Sequence, residues 1–174
     1  MSVAVERGLR ILMALGLAAL VFGIHRSFRE DIVEVGDTAP EFSIAADGGR
    51  SISVSSFGGK LLVLNFWATW CPPCVSEMSS LSQFQKAFAA AGVVVLGVSV
   101  DHSERAYRRL IEQKKVAFLT ARDPEARLSS RYGTFKYPET YVIDRKGKVV
   151  QKIIGAADWT DPGMVSQIKA LLES

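Results

Sequence analysis

An α/β domain, with a mixed sheet flanked by helices and an N-terminal β-hairpin extension, is the fold this sequence predicts. Three observations carry it. Two continuous apolar runs, Leu61–Ala68 and Val93–Val100, have the length and β-branched content of strands covered on both faces. Between them, from Pro73 to Ala91, Val75, Met78, Leu81, Phe84, Phe88 and Ala91 recur at spacings of three and four, the period of an amphipathic helix. Such a β-α-β unit makes its strands parallel, and a late strand pair joined by a short turn adds antiparallel ones.

The chain opens with Arg7 and Arg10, then an uncharged run of 14 residues from Ile11 to Ile24, then His25, Arg26 and Arg29. Positive charge followed by an apolar stretch is an export signal. The run is short for a bilayer span, which takes ~20 residues, but no small-x-small cleavage site follows it, and snorkelling arginines can lengthen its reach. The reading favoured is an uncleaved, single-pass anchor in the cytoplasmic membrane through residues 9–25, ahead of a cleaved signal or a buried core helix. With the arginines held inside, the remainder of the chain would face the extracytoplasmic, periplasmic side. No Cys follows the run, so a lipoprotein anchor is excluded.

Residues from Ser27 to about Gly36 are polar and read as a tether, giving an anchor-and-tether segment over 1–34 and a folded domain over 35–174. Glu41–Ala45 and Arg50–Val54 flank Asp47-Gly48-Gly49, a turn signal for a hairpin. The long helix after Pro73 is closed by Gly92. Asp101–Lys115 reads as a helix capped by Ser103, Val116–Thr120 as a short strand, and Asp123-Pro124 as the start of a short helix ending near Gly133. Thr140–Ile143 and Val149–Ile154 are strands joined across Asp144–Lys148, and Asp161-Pro162 opens a terminal helix. Arg105, Arg108, Arg109, Lys114 and Lys115 read as a solvated helix face.

With 174 residues the chain suits one domain with a full core, and a net charge of +3 without a basic, aromatic-interleaved block argues against nucleic acid. Its two cysteines, Cys71 and Cys74, stand in Trp70-Cys71-Pro72-Pro73-Cys74, where the first apolar strand hands over to a helix N-terminus. A thiol there is reactive because the thiolate is the nucleophile, and oriented amides and the positive helix end stabilise it. An unperturbed Cys, with a pKa of ~8.5, is only about 3% thiolate at neutral pH, and raising that to half takes about 2 kcal/mol. The pair is either redox-active or a local staple, and a staple closing so small a loop stabilises weakly. A metal site needs more ligands than two thiols, and His25 and His102 lie outside any ligand spacing, so no metal is expected.

Asn65-Phe66-Trp67-Ala68-Thr69-Trp70-Cys71-Pro72-Pro73-Cys74 resembles the thioredoxin fold. More narrowly, it resembles the membrane-anchored, extracytoplasmic TlpA/ResA type of thiol:disulfide oxidoreductase, which includes reductants of cytochrome c maturation. The likeness spans about residues 35–173, and takes in Gly36–Phe42, Gly97-Val98-Ser99-Val100-Asp101, Pro138-Glu139-Thr140-Tyr141-Val142-Ile143-Asp144 and Gly155. It implies a redox-active Cys71–Cys74 disulfide and no other cofactor. Cys71 would be the attacking thiol and Cys74 the resolving one. Pro138 would be the cis proline facing them, and Trp70, Pro72 and Tyr137 the substrate-facing residues. Glu77 would be an acidic residue moving protons for the thiols. Asn65 stands where ordinary thioredoxins place a buried Asp; Asn cannot titrate, so Glu77, raised by burial, is expected to serve instead. Lys136, where relatives commonly have Gly, and Tyr137 depart from the pattern. Glu139 reads as a solvated edge residue and His102 as a surface one. The resemblance implies protein disulfide substrates, among them the Cys pair of an apocytochrome c, and a CcdA-like membrane electron donor. The alternatives are a peroxiredoxin-like peroxidase, which wants T-x-x-C where this chain has Thr69 two before Cys71; a copper(I) carrier; and an oxidase or isomerase on the same fold.

Overall fold

A computed structural model describes residues 3–27 and 32–173. The chain divides into two compact units, 1–32 and Val33 onward. The folded unit therefore takes in Val33 and Glu34, two residues earlier than the expected boundary. Part of the expected tether, 28–31, lies outside the described residues.

In the first unit, α1 runs over Val3–Ser27. Its described apolar side chains, including Leu12, Leu15, Leu17 and Phe22, are exposed. Among the described residues no helix is long and apolar enough to cross a membrane.

The second unit is built on strands β3 (Leu61–Trp67), β4 (Val93–Ser99), β5 (Leu119–Arg122), β6 (Glu139–Asp144) and β7 (Val149–Ile154), in the order β5-β4-β3-β6-β7. The first three are mutually parallel, and β6 and β7 run antiparallel, as the crossover logic predicts. The helices are α2 (Pro72–Phe88), α3 (Glu104–Lys114), α4 (Arg127–Arg131) and α5 (Pro162–Glu173). Each starts where a polar side chain satisfies its first amides. Ser103 accepts from Ala106 N, Asp123 from Leu128 N, and Asp161 from Gly163 N and Met164 N. A single 3₁₀ turn, Ala89–Ala91, follows α2 and stops at Gly92, whose φ of 94° is left-handed and suits glycine.

A short hairpin, β1 (Ser43–Ala45) and β2 (Ser51–Ser53), sits apart from the main sheet. It is shorter than the sequence predicts, with Glu41, Phe42 and Val54 at its open end and Arg50 at the turn lying outside the paired residues. The hairpin is pinned to the β5 edge by Asp47, whose N–H donates to Thr120 O and whose carboxylate accepts from Tyr107 and Thr120 hydroxyls. Covering that edge limits pairing with other chains. β5 itself starts three residues later than predicted, since its register with β4 begins at Leu96–Leu119.

Every residue of β3 is buried, and its alternation decides what lies beneath the cysteines. Leu62, Leu64 and Phe66 join one core with Tyr132 and Tyr141 on the hairpin side. Leu61 and Val63 join the other, with Phe84, Trp159 and Ile168 of the α2/α5 side. Asn65 and Trp67 share that second face by the same alternation, which points Asn65 toward α2. Around Trp67 a third cluster holds Ala68, both cysteines, Met78, Val100 and Tyr107, with Trp67 stacked on Tyr107.

Candidate active site

Cys71 is the N-cap of α2, and its sulfur accepts from Cys74 N at 3.3 Å. Pro72 and Pro73 follow at the first two helical positions and carry no N–H, so Cys74 is the first residue able to offer an amide there. Cys71 and Cys74 form a disulfide, and among the described residues there is no free cysteine. Both sulfurs are largely buried.

The opposite wall comes from the loop before β6. The Tyr137-Pro138 peptide is cis, as the family likeness implies, and Tyr137 O lies 3.5 Å from Cys71 Sγ. In the disulfide form this is a contact; once reduced, a Cys71 S–H could donate to that oxygen. Trp70, next to Cys71 in the chain, is 65% exposed and meets Tyr137 edge-on at 5.9 Å. Pro72 and Phe135 are exposed on the same surface-facing segments, and the Tyr137 hydroxyl is tied to Ser129.

Beneath the pair sits Glu77, one helical turn after Cys74 and only 4% exposed. One carboxylate oxygen accepts from Asn65 Nδ2 at 2.9 Å, and the other from Ala157 N at 3.1 Å. Asn65 also donates to Thr140 Oγ1 at 2.9 Å, its register partner on β6. The Trp159 indole N–H lies beside the carboxylate without hydrogen-bonding geometry. Burial is the largest influence on Glu77 and raises its pKa above the ordinary carboxylate value, against the opposing pull of the Ala157 and Asn65 donors. A polar cleft of about 470 Å³, lined in part by Ser80, Gln83, Asp158 and Thr160, adjoins it.

Ala157 and Trp159 reach Glu77 from the β7–α5 loop, and no pattern in the sequence marks them for this. The alternation of β3 could have placed Asn65 over Glu77 in advance.

Glu139 is the correction. It is not a solvated edge residue but 3% exposed, accepting from Tyr141 OH at 2.9 Å and paired with Lys152 Nζ at 3.4 Å. Lys152 is buried with it and also donates to Val33 O and Glu34. The edge reading fails because β7 lies outside β6, so Glu139 belongs to an interior strand. His102 is exposed, as expected. Among the described residues no group of three or more His, Cys, Asp or Glu side chains converges as a metal site would require.

A cis-proline wall facing a helix-capping cysteine pair is geometry that other proteins share. The AhpC/TSA family profile matches residues 35–152. Thiol-disulfide oxidoreductase ResA of Geobacillus thermodenitrificans is 32% identical over 166 residues, covering 94% of this chain and 92% of its own. The thioredoxin-like protein YneN of Bacillus subtilis is 33% identical over 148 residues, covering 84% and 86%. A crystallised protein of Chlorobium tepidum, described as a thiol:disulfide interchange protein DsbE, superposes with a TM-score of 0.73 at 30% identity, covering 80% of this chain and 99% of its own. The helix-capping cysteine pair and these likenesses agree, and the chain belongs to the AhpC/TSA family as a thiol-disulfide oxidoreductase of the TlpA/ResA type with a thioredoxin-like fold.

Proposed function

We propose that this oxidoreductase runs in the reducing direction, outside the cytoplasmic membrane, on the disulfide of an apocytochrome c or a similar protein cysteine pair. The observation that carries the reading is Cys71 at the α2 N-terminus, with Cys74 N on one side of its sulfur and the Tyr137 carbonyl on the other. When reduced, the Cys71 thiolate attacks a target disulfide and releases one target thiol, leaving a mixed disulfide. Cys74, as thiolate, then attacks Cys71 Sγ, releases the second target thiol and closes the Cys71–Cys74 bond. Two electrons leave the protein, so a donor must restore them; a CcdA-like membrane protein fits that need on an oxidising side of the membrane.

Pro138-Glu139-Thr140 resembles the cytochrome-maturation branch, which supports the target. The membrane siting rests on Arg7 and Arg10 ahead of the exposed apolar side chains of α1. Fourteen residues of helix reach about 21 Å, short of the ~30 Å bilayer core, so the anchor depends on the flanking cationic side chains extending to the interface. The test is a Cys74→Ser variant in the native host. Mixed disulfides trapped on Cys71 should include cytochrome c apoprotein, and recovery of other targets alone would overturn the narrower assignment.

Glu77 is proposed to take the Cys74 proton during resolution. Its raised pKa means that the folded protein holds this proton at pH values where the unfolded chain has released it. Stability from this group is therefore full below the ordinary carboxylate pKa and falls as pH rises through the raised one. The reduction rate should rise over that same range, as the base form appears. In Glu77→Gln the limb disappears, resolution waits on unaided ionisation of Cys74, and the neutral-pH rate drops by ~10²-fold. A stopped-flow pH profile identical to wild type would remove Glu77 from the mechanism.

A further inference from the structure

Asp101 is a buried carboxylate that the exchange chemistry above does not use. It is 2% exposed, and three donors converge on it: Thr69 N at 2.8 Å, Thr69 Oγ1 at 2.6 Å and Ser99 Oγ at 2.6 Å. Its own N–H returns to Ser99 Oγ at 3.1 Å. The register explains the meeting. Trp67 and Ser99 are partners at the ends of parallel β3 and β4, so Thr69 and Asp101 stand opposite each other two residues beyond. Between them Val100 N donates to Trp67 O.

Thr69 is the last residue before Trp70-Cys71, and the turn it begins is otherwise closed only weakly, by Cys71 N to Ala68 O at 3.3 Å. The amide that faces the Cys71 sulfur is itself at 3.3 Å, with no neighbouring N–H from Pro72 or Pro73 to replace it. A small rotation of the turn would swing Cys71 Sγ out of line with that amide. The side of the turn away from α2 is held by the two-point grip of Asp101 on Thr69, and hydrogen bonds to a charged group are about twice as strong as neutral ones. Asp101 is in turn backed by Arg122, which donates to the carbonyls of Asp101 and His102 and pairs with Glu104.

We infer that Asp101 is a positioning residue for Cys71: by gripping both the N–H and the hydroxyl of Thr69, it sets the backbone that aligns the Cys71 sulfur with the Cys74 amide. This rests on the reading of Cys71 as the attacking thiol, but its test does not depend on turnover.

In Asp101→Asn the side chain presents an NH₂ where Thr69 needs an acceptor, so one of the two bonds is lost and the turn loosens. The pKa of Cys71 in the reduced protein, followed by thiolate absorbance in the ultraviolet, should rise by about one unit, a tenfold loss of thiolate at neutral pH. The sign is diagnostic. Removing a nearby negative charge would by itself make Cys71 easier to ionise, so an upward shift reports lost alignment. Thr69→Val, which keeps the N–H bond and loses the hydroxyl, should shift Cys71 upward by less, and Thr69→Ser should restore the wild-type value. Ser99→Ala removes a bond to the same carboxylate without touching Thr69, so it should lower the melting temperature and leave the Cys71 pKa in place. If Asp101→Asn fails to fold, the Thr69 pair carries the comparison alone. An unchanged or lowered Cys71 pKa in Asp101→Asn, or in Thr69→Val where the first does not fold, overturns the inference. A normal Cys71 pKa response in a protein that cleaves no disulfide would instead refute the exchange reading and leave the positioning role standing.

Discussion

Replacing Cys71 with serine should abolish reduction of insulin disulfides, by on the order of 10³-fold or more, while leaving the fold intact. The second half of that expectation follows from the position. Cys71 is the N-cap of α2, and serine is among the best N-cap residues, so its hydroxyl can accept from Cys74 N as the sulfur does. What is lost is the nucleophile: a serine hydroxyl is not ionised at neutral pH and does not attack disulfide sulfur. Cys74→Ser separates the two halves of the reaction. It keeps the Cys71 thiol, so one equivalent of mixed disulfide should accumulate and then stall, visible as a shift on a non-reducing gel that dithiothreitol reverses. Equal residual turnover in the two variants would mean that the cysteines do not have the distinct roles that their burial and contacts assign them.

Much of this site is legible in the amino-acid sequence. The cysteine pair and the strand-to-helix junction follow from local pattern, because helix caps and buried strands have short-range signatures, whereas the proline wall came only from the family likeness. Asn65 also points to Glu77 by simple alternation along β3, given that α2 packs on that face. The parts that stayed hidden are contacts between residues far apart in the chain. Ala157 lies 80 residues from the carboxylate it supports, and no spacing rule links a loop amide to a helix glutamate at that distance. Asp101 was visible as part of a family motif, yet its grip on Thr69 needs the β3–β4 register to be known.

Glu139 was misread for a related reason. A charged residue at the start of a strand is ordinarily solvated, and that prior holds unless another strand covers it. Here β7 does, and it brings Lys152 to the same place. Boundaries failed more gently: β5 slid by three residues, because an apolar stretch such as Val116–Leu119 carries no marker of where pairing begins.

Lys152→Met should be the most destabilising single change outside the apolar core, costing roughly 3–5 kcal/mol at neutral pH. The lysine ammonium makes three polar contacts, with Glu139 at 3.4 Å, Glu34 at 3.0 Å and Val33 O at 2.9 Å, and lies 5.5 Å over the Tyr141 ring. Methionine fills much the same space, so packing is preserved and the loss is electrostatic. Glu139 would remain as a buried carboxylate with one neutral donor, Tyr141 OH, and the Val33 carbonyl would lose its ammonium donor. Adding Glu139→Gln should return a large part of the loss, since a neutral amide no longer needs the ammonium. If instead the double variant is as unstable as the sum of the two single ones, the pair is not coupled and Lys152 acts through its ties to Val33 and Glu34. Either result bears on the site, because Glu139 follows Pro138 directly, and slack at the start of β6 moves the Tyr137 carbonyl away from Cys71.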